Sequence, residues 1–220
     1  MKKLILLAWI ITLSISVYGQ KHDTATDEYV QKNGELDKVS KAIGLNYKLP
    51  KEYIASGRFN LKDPPANPVE LTRTTFGVIV SKWIHEDKEC IIFIRAAGTN
   101  GGINKSIDDL PENVFSQIRN SLKMGYFNEK TTDEQMEKLK KIITIWTPQK
   151  SKEVFNAHYV ITYPIKEKKA VYQGKYRHRL ELIMTKWGKS LTVSFLLTKK
   201  GNRHIDKYIK DVEEAFRFED

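Results

Sequence analysis

Apolar residues recur along this chain with two different periods, and the periods divide it into elements. Leu36, Val39 and Ile43 fall three and four apart, the spacing of one helix face, and Gly44 ends the run. A short extended piece, LNYKLP, follows and stops at Pro50. Pro64, Pro65 and Pro68 then exclude regular structure from SGRFNLKDPPANP. Val78, Ile79, Val80, Trp83 and Ile84 form the first arm of a hairpin, His85-Glu86-Asp87-Lys88 its polar turn, and Cys90 to Ile94 its second arm. The second arm is apolar on both faces, which places it centrally in a sheet.

Beyond the glycine-containing loop GTNGGINKS, Asp108 or Asp109 caps a helix with Pro111 in its first turn. Val114, Phe115, Ile118 and Leu122 line its apolar side, and Gly125 stops it. Thr131 or Thr132 opens a second helix, with Glu134 and Gln135 placed for a capping box. Its basic end, KLKK, runs into a strand, IITIWTP. FNAHYVITYP reads as another strand, and KAVYQGKYRHRLELIMTKW as one long strand with a bulge or bend at Gly174. Trp187-Gly188-Lys189-Ser190 turns the chain, SLTVSFLLT returns, KKGNR breaks it, and HIDKYIKDVEEAFRF closes as an amphipathic helix. Strands joined by tight turns imply an antiparallel sheet, and the helices must cover one face of it. The expected class is α+β, a single domain over residues 35–220.

The first residues follow a different plan. Lys2 and Lys3 precede an apolar run, Leu4 to Val17, and Val17-Tyr18-Gly19 puts small or medium residues at the two positions a signal peptidase reads. The run is 14 residues long, short of the ~20 a membrane-spanning helix needs. This is the plan of a secretory signal, cleaved after Gly19, with a polar and mobile lead-in over residues 20–34. The expected location is therefore periplasmic or secreted, with no transmembrane segment left after cleavage.

Composition narrows the chemistry. Cys90 is the only cysteine, so an exported chain of this kind has no internal disulfide. Between Glu89 and Ile91-Ile92, it reads as a small buried hydrophobe and not a nucleophile. The loop GTNGGINKS satisfies neither common phosphate-loop spacing. His22, His85, His158, His178 and His204 show no HxH, HxxxH or HExxH spacing, so no metal and no cofactor is expected. His158 and His178 lie on separate expected strands, where only the fold could bring them together. No serine sits in a GxSxG elbow. Tyr159, Tyr163, Tyr172, Tyr176, Trp146 and Trp187 lie on or beside strands, where aromatics fill a core more often than they stack on a ligand.

One resemblance carries weight at the level of element order. A short strand ending in a proline turn (YKLPKEY), a hairpin, and a late strand pair (LELIMTKWGKSLTVSFLLT) lead into a helix that closes on Ala215-Phe216-Arg217-Phe218. This order resembles the PsbP/Mog1-like fold over about two-thirds of the mature chain. The resemblance implies an antiparallel sheet flanked by helices and a partner-binding module, and it matches no functional residue of the family.

The formal charge is +10. Removal of Lys2 and Lys3 leaves about +8, which favours acidic partners over basic ones. The densest basic stretch is GKYRHRLEL at 174–182. Period-two alternation sets Tyr176, His178, Leu180 and Leu182 on one face and Lys175, Arg177, Arg179 and Glu181 on the other. Lys175, Arg177 and Arg179 are thus the expected anionic-ligand surface, a ridge on the wet face of a strand capable of weak polyanion binding. The functional reading is an exported, non-catalytic binding or accessory domain of the cell envelope with an unidentified envelope or extracellular partner. The alternative is an exported hydrolase-type enzyme whose site is assembled from distant residues.

Overall fold

The structure, a computed structural model, describes residues 35–56, 78–98, 115, 118, 119, 122, 124, 130–171 and 175–220. The expected signal and lead-in, the proline-rich segment, the bulk of GTNGGINKS, the cap at Asp108 or Asp109 and Gly174 all lie outside the described residues.

Among the described residues the helices are α1 (Glu35–Ile43), α2 (Asp133–Ile142), α3 (Pro148–Phe155), α4 (Lys199–Arg203) and α5 (Ile205–Ala215). The strands are β1 (Leu45–Tyr47), β2 (Tyr53–Ser56), β3 (Val78–His85), β4 (Cys90–Gly98), β5 (Thr144–Ile145), β6 (Tyr159–Val171), β7 (Tyr176–Lys186), β8 (Lys189–Leu197) and β9 (Phe216–Phe218). Seven strands form one antiparallel sheet in the order β2-β3-β4-β8-β7-β6-β5, and β1 pairs with β9 in a separate ladder. The class is α+β, as the tight-turn pattern implies.

Local chemistry explains several boundaries. Thr132 caps α2 and exchanges hydrogen bonds with Gln135, a full capping box. Thr147 caps α3, Pro148 fills its first position, and Asn156 ends it in the left-handed region at φ 52°. The β7–β8 hairpin turns on two residues, Trp187 at φ 52° and Gly188 at φ 71°. Positive φ at both central positions is the twist a two-residue hairpin requires.

Some elements differ from the expected ones. The long strand over 169–187 is two strands: β6 ends at Val171, β7 starts at Tyr176, and the two pair back to back with Val171 opposite Tyr176. The stretch expected as one strand is thus shared between two antiparallel strands, and the bulge or bend expected at Gly174 lies outside the described residues. PQKSKEVF is a helix because Thr147 and Pro148 start one there. The strand expected from IITIWTP shrinks to Thr144–Ile145. The last helix stops at Ala215 because Phe216 and Phe218 join β1 as a strand.

The large sheet is buried on both sides. On one side Cys90, Ile92, Ile94, Val193, Phe195, Leu182 and Met184 meet Leu36 of α1, Phe155 of α3, Tyr208 and Val212 of α5 and Phe216 of β9. Trp83 and Phe216 stack there with centroids 5.1 Å apart and planes within 5°. Each such ring contributes about 1.5–3 kcal/mol by leaving water. On the other side Tyr159, Ile161, Tyr163, Ile165 and Ile183 pack against Leu139 of α2, Ile143, and Phe115 and Ile118. Among the described residues, α1, α3 and α5 thus share one face, and α2 lies over the opposite one.

Candidate functional sites

The expected basic ridge divides in two. Lys175 and Arg177 stand in water. Arg179 does not: it is buried between Ile165 of β6 and Leu196 of β8. The alternation rightly put it on the face opposite Leu180, but that face is interior at this point of the sheet. Its Nε–H donates to Glu181, whose second oxygen accepts from Arg95 Nη2 and, at 2.9 Å, from the Ser194 hydroxyl. Arg95 Nη2 also donates to Ser194 Oγ at 2.6 Å. Burial pulls the Arg95 guanidinium below its ordinary value; Glu181 opposes this and Arg179 adds to it. One carboxylate thus anchors two guanidiniums inside the sheet, a structural task.

The exposed cations have other company. The Tyr176 hydroxyl donates to the Lys88 carbonyl at 2.8 Å, which ties the start of β7 to the β3–β4 turn. Helix α4 packs against β7 at the same end of the sheet. Lys88, Lys175, Arg177, Lys199 and Lys200 are all exposed there, with Glu86, Asp87 and Glu89 interspersed.

A second group gathers residue types that enzymes use. His85 is buried, with its ring edge-on to Tyr53 (4.9 Å) on one side and Tyr208 (5.1 Å) on the other. The Tyr53 hydroxyl donates to Asp211 Oδ2 at 3.1 Å, and the Tyr208 hydroxyl to Asp87 Oδ2 at 2.9 Å. These two bonds cross-brace α5 onto β2 and onto the β3–β4 turn. His85 Nδ1 accepts from the Asp87 amide at 3.2 Å and lies 2.9 Å from its carboxylate. Burial, reinforced by Asp87 and Asp211, pushes the Cys90 thiol well up, so no thiolate forms there. Burial and the neighbouring carboxylates raise both phenols. Asp87 resists its own burial, because the Glu89 amide, Tyr208 and His85 hold its carboxyl below the usual range. Asp211 goes the other way: burial raises it, and Tyr53, His85 and Lys207 offset only part. Histidine, cysteine and carboxylates therefore converge, but as a brace: His85 and Cys90 are enclosed, while Asp87 and Asp211 keep contact with water.

The β7–β8 turn presents the opposite case. Trp187 and Ile54 are the large hydrophobics that stand out into water among the described residues, at 68% and 64% exposure. Trp187 is not loose. The His158 ring meets it edge-on with centroids 4.3 Å apart, and its amide approaches His158 Nδ1 at 3.4 Å. Burial and the nearby Lys186 lower the His158 pKa, favouring the neutral ring that this contact uses. The left-handed backbone at Trp187 costs about 1–2 kcal/mol for a residue with a Cβ. A bulky side chain held there, in water, is an outlier of the kind that marks function.

His158 and His178 do not meet: His158 neighbours Thr185 at one end of β7, and His178 pairs with Lys166 near the other. Among the described residues no group of three His, Cys, Asp or Glu is placed to hold a metal, and no helix is long and apolar enough to cross a membrane. Of the strand-borne aromatics, Tyr159, Tyr163 and Tyr176 are buried, and Trp146 is half-buried beneath the Lys150 ammonium, 3.7 Å from its ring centroid. Tyr172 lies outside the described residues.

No family model matches this chain, and no curated protein matches it. Among solved structures the fold is similar to the solution structure of cyanobacterial PsbP (CyanoP) from Synechocystis sp. PCC 6803. The match covers 81% of this chain and 88% of that one, at 12% identity and a TM-score of 0.40.

Proposed function

We propose that this chain is an exported, non-catalytic binding or accessory domain that engages an envelope or extracellular protein partner through the tip of the β7–β8 hairpin. The observation that carries the reading is Trp187: exposed, fixed by His158, and kept in a backbone conformation that a bulky residue does not favour. Tryptophan in a rigid setting loses little entropy on association and dominates many interfaces. The enclosure of His85 and Cys90 supports binding over the alternative hydrolase, since neither group meets solvent. Export rests on the signal-like residues 1–19, and N-terminal sequencing of the protein from the exported fraction is expected to begin at Gln20.

The test is a photo-crosslinking residue placed at position 187, with position 152 on α3 as the control. A specific adduct with one envelope or extracellular protein, formed only from position 187, is the expected result. No adduct there, together with turnover of a common ester, peptide or glycoside substrate, overturns the reading.

The exposed cluster of Lys175, Arg177, Lys88, Lys199 and Lys200 favours a second reading, weak polyanion binding. It predicts retention on heparin that falls steeply with salt and drops in a Lys175→Ala/Arg177→Ala variant.

A further inference from the structure

A hollow of about 340 Å³ lies between the turn joining β1 to β2 and the end of α5. Its size is that of a small-molecule site. The two walls differ in charge. Lys48 and Lys51 come from the turn, Asp211 and Glu214 from the helix, and Leu49 and Pro50 form an apolar strip. Glu52 adds one more carboxylate on the turn side.

Three backbone hydrogen bonds hold this frame open. The Lys48 amide donates to the Ala215 carbonyl at 2.8 Å, the Tyr53 amide to Pro50 at 3.1 Å, and the Glu86 amide to Glu52 at 2.8 Å. Asp211 is fixed by the Tyr53 hydroxyl on its Oδ2. Among the described residues, Lys48 and Lys51 enter no ion pair with the carboxylates that share the hollow. Opposite charges thus line one cavity on separate, anchored elements without neutralising each other directly.

That arrangement selects a charge type. A simple anion would lie beside three carboxylates, and a simple amine beside two ammonium groups. A molecule carrying both charges answers both walls. We propose that this hollow binds a small zwitterion, an α-amino acid or dipeptide, with its ammonium against Asp211 and Glu214 and its carboxylate against Lys48 and Lys51. The Leu49–Pro50 strip takes an aliphatic side chain. Trp187 does not line the hollow, so this inference stands apart from the partner surface.

The test is an amide-resolved NMR titration of the full mature chain. Four probes separate the possibilities: leucine, leucylglycine, 3-methylbutylamine (the amine alone) and 4-methylpentanoate (the carboxylate alone). Saturable shifts at Lys51, Asp211 and Glu214 with leucine or leucylglycine are expected, with each single-charge analogue weaker by about ten-fold or more. Tighter binding of leucine assigns the free amino acid, and tighter binding of leucylglycine assigns the peptide. Asp211→Asn and the surface change Lys51→Ala should each weaken the zwitterion about ten-fold, while Trp187→Ala leaves it unchanged. The dispersed amide spectrum of each variant verifies its fold. No saturable shift at these amides, a single-charge analogue binding as tightly, or undiminished binding by both charge variants overturns the proposal.

Discussion

Arg95 and Glu181 stand 86 residues apart in the chain and meet in the middle of the sheet, where both are almost wholly screened from water. Glu181 also holds Arg179, so its carboxylate is the hub of a buried charge cluster. Removing it leaves two interior guanidiniums without that counter-charge. Glu181→Ala is expected to cost about 3–5 kcal/mol in urea unfolding. Glu181→Gln keeps a hydrogen-bond acceptor and should cost less. Equal and small losses for both would show that the cluster is not an electrostatic hub.

Gly201 sits where α4 touches the β3–β4 turn. A Cβ built there would lie 2.3 Å from the Glu89 carbonyl oxygen, and backbone cannot swing aside as a side-chain tip can. Gly201→Ala should therefore destabilise by about 1–3 kcal/mol, read as a lower denaturation midpoint at unchanged slope.

Asp211 gives a pH signature. Burial raises its carboxyl above the ordinary 3.8, so the fold favours the protonated form. A raised pKa contributes stability below the unfolded value and loses it as pH rises through the folded one. Asp211→Asn removes the charge and retains an acceptor for Tyr53. Its melting temperature should exceed that of the parent at pH 7, and the two should converge below pH 3.8. A variant less stable at pH 7 would show that the Tyr53 bond needs the carboxylate.

Trp187 should separate stability from binding. Trp187→Asn relieves about 1–2 kcal/mol of backbone strain and forfeits an aromatic contact of about 0.5–1.5 kcal/mol. The net change in unfolding free energy is expected within about 1 kcal/mol, while affinity for the partner falls about 30-fold or more. A large loss of stability would make the residue structural.

Cys90 is fully enclosed and its thiol is held protonated. Labelling by Ellman's reagent at pH 8 should proceed only at the rate of global opening and accelerate with urea. Rapid stoichiometric labelling of the native chain would place a reactive thiol where the geometry has none.

The parts of the fold that showed in the sequence are those fixed by neighbours in the chain. The β3–β4 hairpin follows from its polar turn, and α2 from Thr132 and Gln135. Helix α3 carries few apolar residues, and its signal was the cap instead: Thr147 followed by Pro148. The strands β2 and β9 are three or four residues long and are set by pairing with distant partners, which no local period records. The same division holds for the sites. Alternation separated Arg179 from Leu180 but could not show that both faces of the sheet are covered. Tyr53 and Asp211, 158 residues apart, meet only once α5 docks. For Trp187 there was a usable cue: a bulky residue directly before glycine in a two-residue turn, where asparagine or glycine is the favoured choice.

The β1–β9 ladder ties the first strand of the described fold to the last. Leu45 waits for Phe218, and Phe216 is also the ring that stacks on Trp83. A growing chain cannot close its main core until residue 218 has left the ribosome. Closing so long a loop is slow, and its entropic cost comes before any contact repays it. A chain that stops short of that strand lacks Phe216 and Phe218 from its main core and leaves β1 without its pairing partner, so C-terminal truncation is expected to destabilise the fold out of proportion to the few residues removed.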